Sequence, residues 1–564
     1  MYWPSSAWAM GVVLAACGGS SVSPNQLSEE DHDLGRATPV DTGDASGTDA
    51  ATLSTTLGAA GRAQALAVGA VVGAVPGALP VPDGPPDAGE MGVFGRSFGW
   101  PIIPIHTVLL PDGRVLSYGN QLPTRPVPLL NYALWDPAAG TGTSAMQVLV
   151  NTTETDIFCA GQALLPAGDV LIVGGDRAVD GVRNYANNDV NRFSPATGVL
   201  QREPLSMGFR RWYATVVMSA QGDAVVLGGR DDRDSLEGGP ESTPTFSPTP
   251  ELRSPDGLWR SLPGATSDQA LGSIGSHWYY PRAWQLPEGR IGVITVNGPM
   301  YAVSTAGDGA IERMPAELPT GSARLPSVMV APGRVLSVRN DGASWLVDWS
   351  TKAKPTVARS GNLSGHRLYA NATALADGSV WVNGGSSSGN SLAGAFYASE
   401  LWQAQTGQWR PTAAAAKPRL YHSISMLMPD GSVLTGGGGA PGPVAQLNAE
   451  VYFPPYLYRK DGSGLAAERP VVREAPAALG WGQQFDVRMR GEGAVSAVNL
   501  VRFGAVTHAF GNDQRVVPMT FTQTGSKLRL HSPAAATLAP PGFYMLFVLD
   551  AAGVPSVARV LRLG

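Results

Sequence analysis

Pairs of apolar strands joined by short turns of Pro, Asp and Gly recur along the chain from Trp100 to about Asn448. The copies begin near residues 106, 161, 214, 281, 327, 372 and 422. Asp-Gly between two alternating apolar runs is a strong signal for a β-hairpin. A repeat of about fifty residues built from such hairpins is typical of β-propeller blades. The pattern therefore predicts an all-β protein with a seven-bladed β-propeller over residues 93–448.

The repeat stops after Asn448, and residues 449–564 alternate apolar and polar positions between frequent turns. This pattern predicts a C-terminal immunoglobulin-like (early-set) β-sandwich. Two glycines close several of the preceding repeats, so that region resembles the propellers of kelch proteins. We expect two folded domains, a kelch-type propeller followed by the sandwich.

The first 92 residues carry neither pattern. Residues 1–17 end in an apolar run that closes on Cys17, which resembles a bacterial lipoprotein signal peptide, although no Lys or Arg precedes it. A misassigned start and an ordinary signal peptide are the alternatives. Residues 18–92 predict a disordered tether, and the Gly- and Pro-broken apolar segment 65–82 is short for a bilayer and is interpreted as linker. We expect an exported protein, either an envelope lipoprotein (outer membrane or periplasmic) tethered through lipidated Cys17, or a secreted one.

Composition adds two constraints. The chain of 564 residues has 70 Gly, 46 Pro and only 15% charged residues, which favours a turn-rich all-β protein. A net charge of -5 argues against nucleic acid as a partner. If Cys17 is consumed by processing, Cys159 has no disulfide partner in an oxidising compartment. Cys159 is then either buried and inert or chemically committed.

The candidate chemistry centres on Tyr421-His422, which directly precede an apolar strand. Adjacent side chains of a regular strand point to opposite faces, so this pair converges on one ion only where the strand begins. His508 lies in a loop or at a strand end of the terminal domain, and Cys159 and Tyr213 also precede strands. Imidazole and oxygen donors in a tetragonal arrangement suit Cu(II). Taken singly, each of these residues is more often an ordinary buried or surface side chain.

Four segments together resemble the copper radical oxidases, the galactose oxidase and glyoxal oxidase family, and the RWY segment is closer to glyoxal oxidase-like bacterial members. The segments are Asp156-Ile157-Phe158-Cys159, Arg211-Trp212-Tyr213, Arg419-Leu420-Tyr421-His422, and Thr507-His508 with Asp513-Gln514-Arg515.

The resemblance implies one copper ion held by Tyr213, Tyr421, His422 and His508. It also implies a Cys159–Tyr213 thioether that carries a radical and so supplies the second oxidising equivalent. Cys159, Tyr213 and Tyr421 would be the catalytic residues, with Tyr421 as general base. The substrate would be a small aldehyde (as its hydrate), a primary alcohol or a glycan end, and O2 would be reduced to hydrogen peroxide.

The sequence also departs from galactose oxidase. Gly228-Gly229 is followed by Arg230-Asp231 where galactose oxidase has a tryptophan that stacks on the thioether. Trp278 is a candidate replacement, with an ordinary core aromatic as the alternative. The expected tether stands before the predicted propeller, where galactose oxidase has a carbohydrate-binding domain. A catalytically silent surface propeller that binds glycans or proteins is the alternative function, and a monomer is expected.

Overall fold

The computed structural model describes residues 78–119, 131–179, 182–231, 245–350 and 354–564. Strands dominate these residues, which confirms the all-β prediction, and no described helix is long and apolar enough to cross a membrane. The predicted signal peptide, Cys17 and residues 18–77 of the predicted tether lie outside the described residues. The helical segments are single turns: the α-helices Ala88–Met91 and Asp268–Leu271, and the 3-10 helices Pro137–Ala139, Thr143–Ala145, Pro263–Ala265, Ile274–Ser276 and Pro455–Leu457.

The described strands of the repeat region form seven four-stranded antiparallel units, numbered here in chain order. Their kelch class stays a prediction. Units 1 to 4 consist of His106–Leu109, Val115–Tyr118, Tyr132–Trp135 and Met146–Leu149; Gly161–Leu164, Val170–Val173, Val190–Ser194 and Val199–Arg202; Thr215–Met218, Ala224–Leu227, Glu251–Arg253 and Trp259–Ser261; and Arg282–Gln285, Ile291–Ile294, Pro299–Ser304 and Ala310–Glu317. Units 5 to 7 consist of Ser327–Ala331, Arg334–Val338, Ala343–Asp348 and Thr356–Asn362; Asn371–Ala374, Val380–Asn383, Ala398–Gln403 and Gln408–Ala414; and Ser423–Leu427, Val433–Gly437, Asn448–Phe453 and Val93–Phe94. Asp176–Val179 and Val182–Ala186 pair as an additional hairpin of unit 2, and Phe98–Gly99 pairs with Asn448–Phe453.

The turn residues act as the sequence predicts. In unit 1 the amide of Gly113 donates to the carbonyl of Leu110, and the amide of Leu110 donates to the carbonyl of Arg114. Gly113 has a φ of +87°, a conformation that favours glycine. The two strands that this turn joins are buried along their whole length, and their buried side chains include the polar His106 and Thr107.

Unit 7 is completed by the N-terminal end of the described chain. Val93–Phe94 pairs antiparallel with the strand that ends at Phe453. The preceding residues are also packed, because the amide of Gly84 donates to the carbonyl of Gly464 and the hydroxyl of Tyr458 donates to the carbonyl of Pro82. The prediction that the disordered tether extends to residue 92 is therefore wrong for residues 78–92, which hydrogen-bond to the terminal region through their backbone.

The terminal region is a two-sheet sandwich. One sheet contains Val472–Glu474, Gln484–Met489, Phe521–Thr524 and Lys527–His531, and the other contains Ala478–Leu479, Val495–Arg502, Phe510–Pro518, Gly542–Asp550 and Arg559–Leu563. A shared core joins the two sheets and includes the fully buried Val487, Leu528, Leu546 and Leu561. The apolar side chains of both sheets face this core, as the alternating sequence predicts.

One hairpin leaves the sandwich and enters the repeat region. We call it the axial hairpin, and it comprises Ala505–Thr507 and the first half of Phe510–Pro518. Its first strand pairs antiparallel with the first strand of unit 1, and its second strand pairs parallel with the first strand of unit 5. Together the two strands contact the first strand of each of the seven described units. The hairpin therefore lies on the axis that the units surround.

Candidate metal centre

Three predicted site residues occupy equivalent positions in their units. Cys159, Tyr213 and Tyr421 each lie two residues before the first strand of units 2, 3 and 7, which begin at Gly161, Thr215 and Ser423. Cys159 and Tyr213 have φ values of +56° and +67°. A non-glycine residue rarely adopts this left-handed conformation, and such residues cluster at functional sites. The local backbone turns these side chains out of the strand direction toward the axis.

In Tyr421-His422 the residue with the left-handed backbone conformation is one position later, directly before the strand. The strand begins at Ser423, and His422 has a φ of +66°. The rings of Tyr421 and His422 stack, with centroids 3.8 Å apart and planes 23° apart. Because the turn precedes the strand, two adjacent side chains lie on the same side, as the sequence analysis required.

His508 reaches the same place from the other domain. It lies at the tip of the axial hairpin, where Thr507 pairs with Phe510 across a two-residue turn. His508 and Ala509 have φ values of +47° and +63°, the combination that a type I′ hairpin turn requires. The terminal domain thus delivers one imidazole to the axis.

The structure brings the five predicted residues together. The Tyr213 and Tyr421 hydroxyl oxygens lie 2.9 Å apart, and the Cys159 Sγ lies 3.7 Å from His508 Nε2. The His422 and His508 rings are perpendicular, with centroids 4.6 Å apart. One ligand atom from each of Cys159, His422 and His508 lies within 4.8 Å of the others. All five side chains are buried.

Each of the two histidines has one ring nitrogen hydrogen-bonded to a protein oxygen. His422 Nδ1 lies 2.6 Å from the Ala440 carbonyl oxygen and must donate to it, whereas its buried Nε2 has no hydrogen-bond partner among the described residues. His508 Nδ1 is hydrogen-bonded to the Thr507 hydroxyl, which leaves Nε2 on the side of Cys159. Metal-bound histidines use this arrangement, in which one ring nitrogen is fixed by a protein oxygen and the other faces the ion.

Electrostatics keeps both rings neutral. Burial lowers the pKa of His422 to about 3. Burial also lowers the pKa of His508 well below its ordinary value, and the nearby His422, His106 and Arg282 lower it further. A neutral imidazole has the lone pair that a metal needs. Two such nitrogens beside two phenol oxygens form an N,O donor set that fits Cu(II).

Buried ion pairs fix the backbone that carries the tyrosines. Arg211 pairs with Glu251 at 2.9 Å and also donates to the Gly228 carbonyl, the first glycine of the pair that closes the second strand. The same arrangement recurs as Arg419 with Glu450 and Gly437, and as Arg367 with Glu400 and Gly384. Each arginine precedes a tyrosine by two residues. The Arg-x-Tyr motif therefore ties the start of units 3, 6 and 7 to the second and third strands of the same unit.

The position two residues before a first strand also holds two tyrosines that the sequence analysis missed. Tyr369 and Tyr280 stand two residues before the first strands of units 6 and 4, with φ values of +65° and +39°. The Tyr369 ring lies 4.9 Å from that of Tyr421, and the Tyr280 ring lies 4.7 Å from that of His508. Arg367-Leu368-Tyr369 repeats the signal of Arg211-Trp212-Tyr213, so Tyr369 could have been found from the sequence.

His106 was assigned no role from the sequence, but it contacts the site. Its Nε2 accepts a hydrogen bond of 3.2 Å from the backbone amide of Cys159, and its ring stacks on Tyr118 at 4.4 Å. Burial, and secondarily the nearby His422, holds the pKa of His106 well below its ordinary value, so the neutral ring is an acceptor. His106 therefore helps to hold the backbone of Cys159 in place.

Trp278 lies beside Tyr213 with ring centroids 5.9 Å apart at 45°, so it contacts the ring without parallel stacking. The Trp212 ring is nearer, at 4.1 Å and 41°. The sequence analysis considered Trp278 as the replacement for the missing tryptophan and did not consider Trp212. The neighbour of Tyr213 in the chain is the nearer indole.

Residues 469–563 match the family model described as "Galactose oxidase-like, Early set domain". Galactose oxidase of Gibberella zeae is 27% identical over 507 residues, which cover 84% of this chain and 70% of that protein. Aldehyde oxidase GLOX of Vitis pseudoreticulata is 26% identical over 462 residues, which cover 72% of this chain and 82% of that protein. A solved structure of a fungal alcohol oxidase of the AA5 family, in complex with copper, has a TM-score of 0.73 and 24% identity and covers 84% of this chain and 100% of that one. The fold is therefore of the galactose oxidase type, with an early-set domain at the C-terminus.

Proposed function

We propose that this chain, a homologue of galactose oxidase and of the GLOX aldehyde oxidases over most of its length, is a copper-dependent oxidase. It would oxidise a primary alcohol, an aldehyde hydrate or a glycan end and reduce O2 to hydrogen peroxide. One observation carries the proposal. Two neutral buried imidazoles, a pair of phenols 2.9 Å apart and the thiol of Cys159 converge on the axis of the units.

The copper ligands in this proposal are Tyr213, Tyr421, His422 and His508. Bound copper would supply a one-electron redox couple and would lower the pKa of a coordinated phenol or substrate hydroxyl. The buried His422 Nε2, which has no hydrogen-bond partner among the described residues, supports this assignment. An imidazole nitrogen left in this state is costly unless it binds something.

Two electrons must leave the substrate: a hydrogen atom taken by Tyr213 carries one of them, and the one-electron couple that bound copper would supply accounts for the other. Tyr421, as a phenolate favoured by the metal, would be the general base that takes the hydroxyl proton, and its oxygen lies 2.9 Å from that of Tyr213. Tyr213, in its radical form, takes a hydrogen atom from the substrate carbon. Overall, two electrons and two protons pass from the substrate to O2, which becomes hydrogen peroxide.

The thioether between Cys159 and Tyr213 belongs to the same proposal. Forming it removes the thiol hydrogen and one ring hydrogen, and O2 takes up both with two electrons as hydrogen peroxide. The backbone amide of Tyr213 donates to the carbonyl of Cys159 at 2.9 Å, so the two residues are neighbours across units 2 and 3. Both side chains belong to one buried cluster.

The test is a peroxide-coupled assay of the copper-loaded protein after mild oxidation, against aldehydes, primary alcohols and glycans. We expect wild type to produce peroxide from at least one of these substrate classes and the His508→Ala variant to produce none. A wild-type protein that binds copper but yields no peroxide from any class would instead favour a binding propeller.

Envelope anchoring through Cys17 stays a proposal, and cell fractionation of wild type and Cys17→Ala tests it.

A further inference from the structure

The guanidinium group of Arg230 lies against two aromatic residues beside Tyr213. The guanidinium carbon of Arg230 is 4.1 Å from the ring centroid of Trp212 and 5.5 Å from that of Trp278. Both indoles contact the Tyr213 ring, with centroids 4.1 Å and 5.9 Å away. All four residues are at most 5% exposed. The guanidinium therefore contacts both tryptophans that adjoin the proposed radical site.

The main chain fixes this contact. The amide of Trp212 donates to the carbonyl of Arg230 at 2.9 Å, and the amide of Arg230 donates to the carbonyl of Trp212 at 2.8 Å. Gly229, with a φ of +98°, turns the chain directly before Arg230, and a β-carbon there would lie 3.0 Å from the Cβ of Arg211. The pairing of the two backbone segments thus places the Arg230 side chain next to Trp212.

An indole in contact with a tyrosyl radical is a potential electron donor. If Trp212 gave one electron to the Tyr213 radical, the products would be the Tyr213 phenolate and an indole radical cation. A second positive charge about 4 Å away repels that cation. At an effective dielectric constant of about 20, this repulsion alone corresponds to roughly a thousandfold shift toward the radical on Tyr213, and the attraction between Arg230 and the Tyr213 phenolate offsets part of it.

We propose that Arg230 confines the oxidising equivalent to Tyr213 by making Trp212 harder to oxidise. This inference rests on the proposed radical function of Tyr213. Arg230 is a positioning residue in this role, because it acts through Trp212 and touches no reacting atom. This role also offers a chemical reason for Arg230-Asp231 at the place where galactose oxidase has a tryptophan.

The experiment uses the full copper-loaded chain, oxidised with hexacyanoferrate(III) and then freed of excess oxidant. The half-life of the radical absorbance is measured for wild type, Arg230→Met, Arg230→Lys, Trp212→Phe and the double variant Arg230→Met/Trp212→Phe. We expect Arg230→Met to shorten the half-life at least tenfold and to give oxygenated Trp212 in peptide maps. Arg230→Lys should retain most of the half-life, and the double variant should recover it.

A matched control is Arg253→Met, which removes another buried arginine, one that pairs with Glu203 at 2.7 Å. It should leave the half-life unchanged. An unchanged half-life in Arg230→Met, or a double variant as short-lived as Arg230→Met, overturns the inference. If Arg230→Met does not fold, the half-life of Trp212→Phe decides. A longer half-life than in wild type would mean that Trp212 already loses electrons although Arg230 is present, which would overturn the inference. Absence of any radical in wild type would instead overturn the proposed function, and with it this inference.

Discussion

The hydroxyl oxygens of Tyr213 and Tyr421 lie 2.9 Å apart, although the two residues are 208 positions apart in the chain. One hydrogen bond thus joins the proposed radical residue to the proposed base. The two phenols come from units 3 and 7, and the axial hairpin brings His508 to the same point. A proton and a hydrogen atom removed from one substrate carbon and its hydroxyl would need two acceptors this close together.

Tyr421→Phe should separate catalysis from metal binding. The variant keeps the ring that stacks on His422 and loses only the hydroxyl, so we expect most of the copper to remain. Loss of the general base should lower turnover by roughly 10²- to 10⁴-fold. Metal analysis and peroxide production measure the two effects, with His422→Ala as the control that loses both. Copper loss as large in Tyr421→Phe as in His422→Ala would show that Tyr421 is a structural ligand only.

Cys159→Ser tests the thioether. Wild type loaded with copper in air should lose two hydrogens by intact mass and yield a linked Cys159–Tyr213 peptide, and the variant should show neither. The variant should still bind copper through its four ligands and should lose activity by several orders of magnitude. Near wild-type turnover in Cys159→Ser would exclude the radical mechanism.

His106→Leu should slow thioether formation. The substitution removes the hydrogen bond that His106 Nε2 accepts from the Cys159 amide, which is worth about 0.5–1.5 kcal/mol. We expect the half-time for loss of two hydrogens to lengthen about tenfold, because the backbone of Cys159 is less well held. His106→Gln, whose amide oxygen replaces the acceptor, should restore most of the rate. Equal half-times in wild type and His106→Leu would contradict this role.

Breaking the Arg419–Glu450 pair should destabilise the fold. Both side chains are fully buried, so Arg419→Met leaves an unpaired carboxylate and should lower the free energy of unfolding by about 3–5 kcal/mol. The double variant Arg419→Met/Glu450→Leu removes both charges and should lose less. Denaturant unfolding of the metal-free protein measures both. A double variant less stable than Arg419→Met would refute the explanation by an unpaired charge.

His277 should make stability depend on pH. Burial lowers its pKa to about 4, below the value near 6.5 expected for the unfolded chain. The folded state then binds the proton less readily, so this contribution to stability is complete above pH 6.5 and is lost as the pH falls toward 4. The loss is about 3 kcal/mol at pH 4.

The comparison variant is His277→Asn, which keeps a donor for the Gln269 carbonyl at the position of Nδ1. Its free energy of unfolding, measured without metal, should fall less steeply between pH 6.5 and pH 4 than that of wild type. Parallel curves for the two proteins would show that His277 titrates in the folded state as it does in the unfolded one.

The local features of the site could be read from the sequence. Tyr421 and His422 precede an alternating apolar run, and that order alone required a turn before the strand. Arg367-Leu368-Tyr369 repeats the pattern around Tyr213, so even the missed Tyr369 had a local signal. The error at residues 78–92 has the opposite cause, because a segment rich in Gly and Pro becomes ordered through backbone hydrogen bonds to distant residues such as Gly464.

By itself, the sequence determined the strands, the turns and the residue types that can bind copper, because hydrophobic alternation and turn chemistry act over a few neighbouring residues. Only the tertiary structure decided which of these residues meet. His106 beside Cys159 and Arg230 on Trp212 depend on contacts between separate segments, which no local pattern records. His508 reaches the axis because a hairpin of one domain contacts the units of another, and that placement follows from packing over the whole molecule.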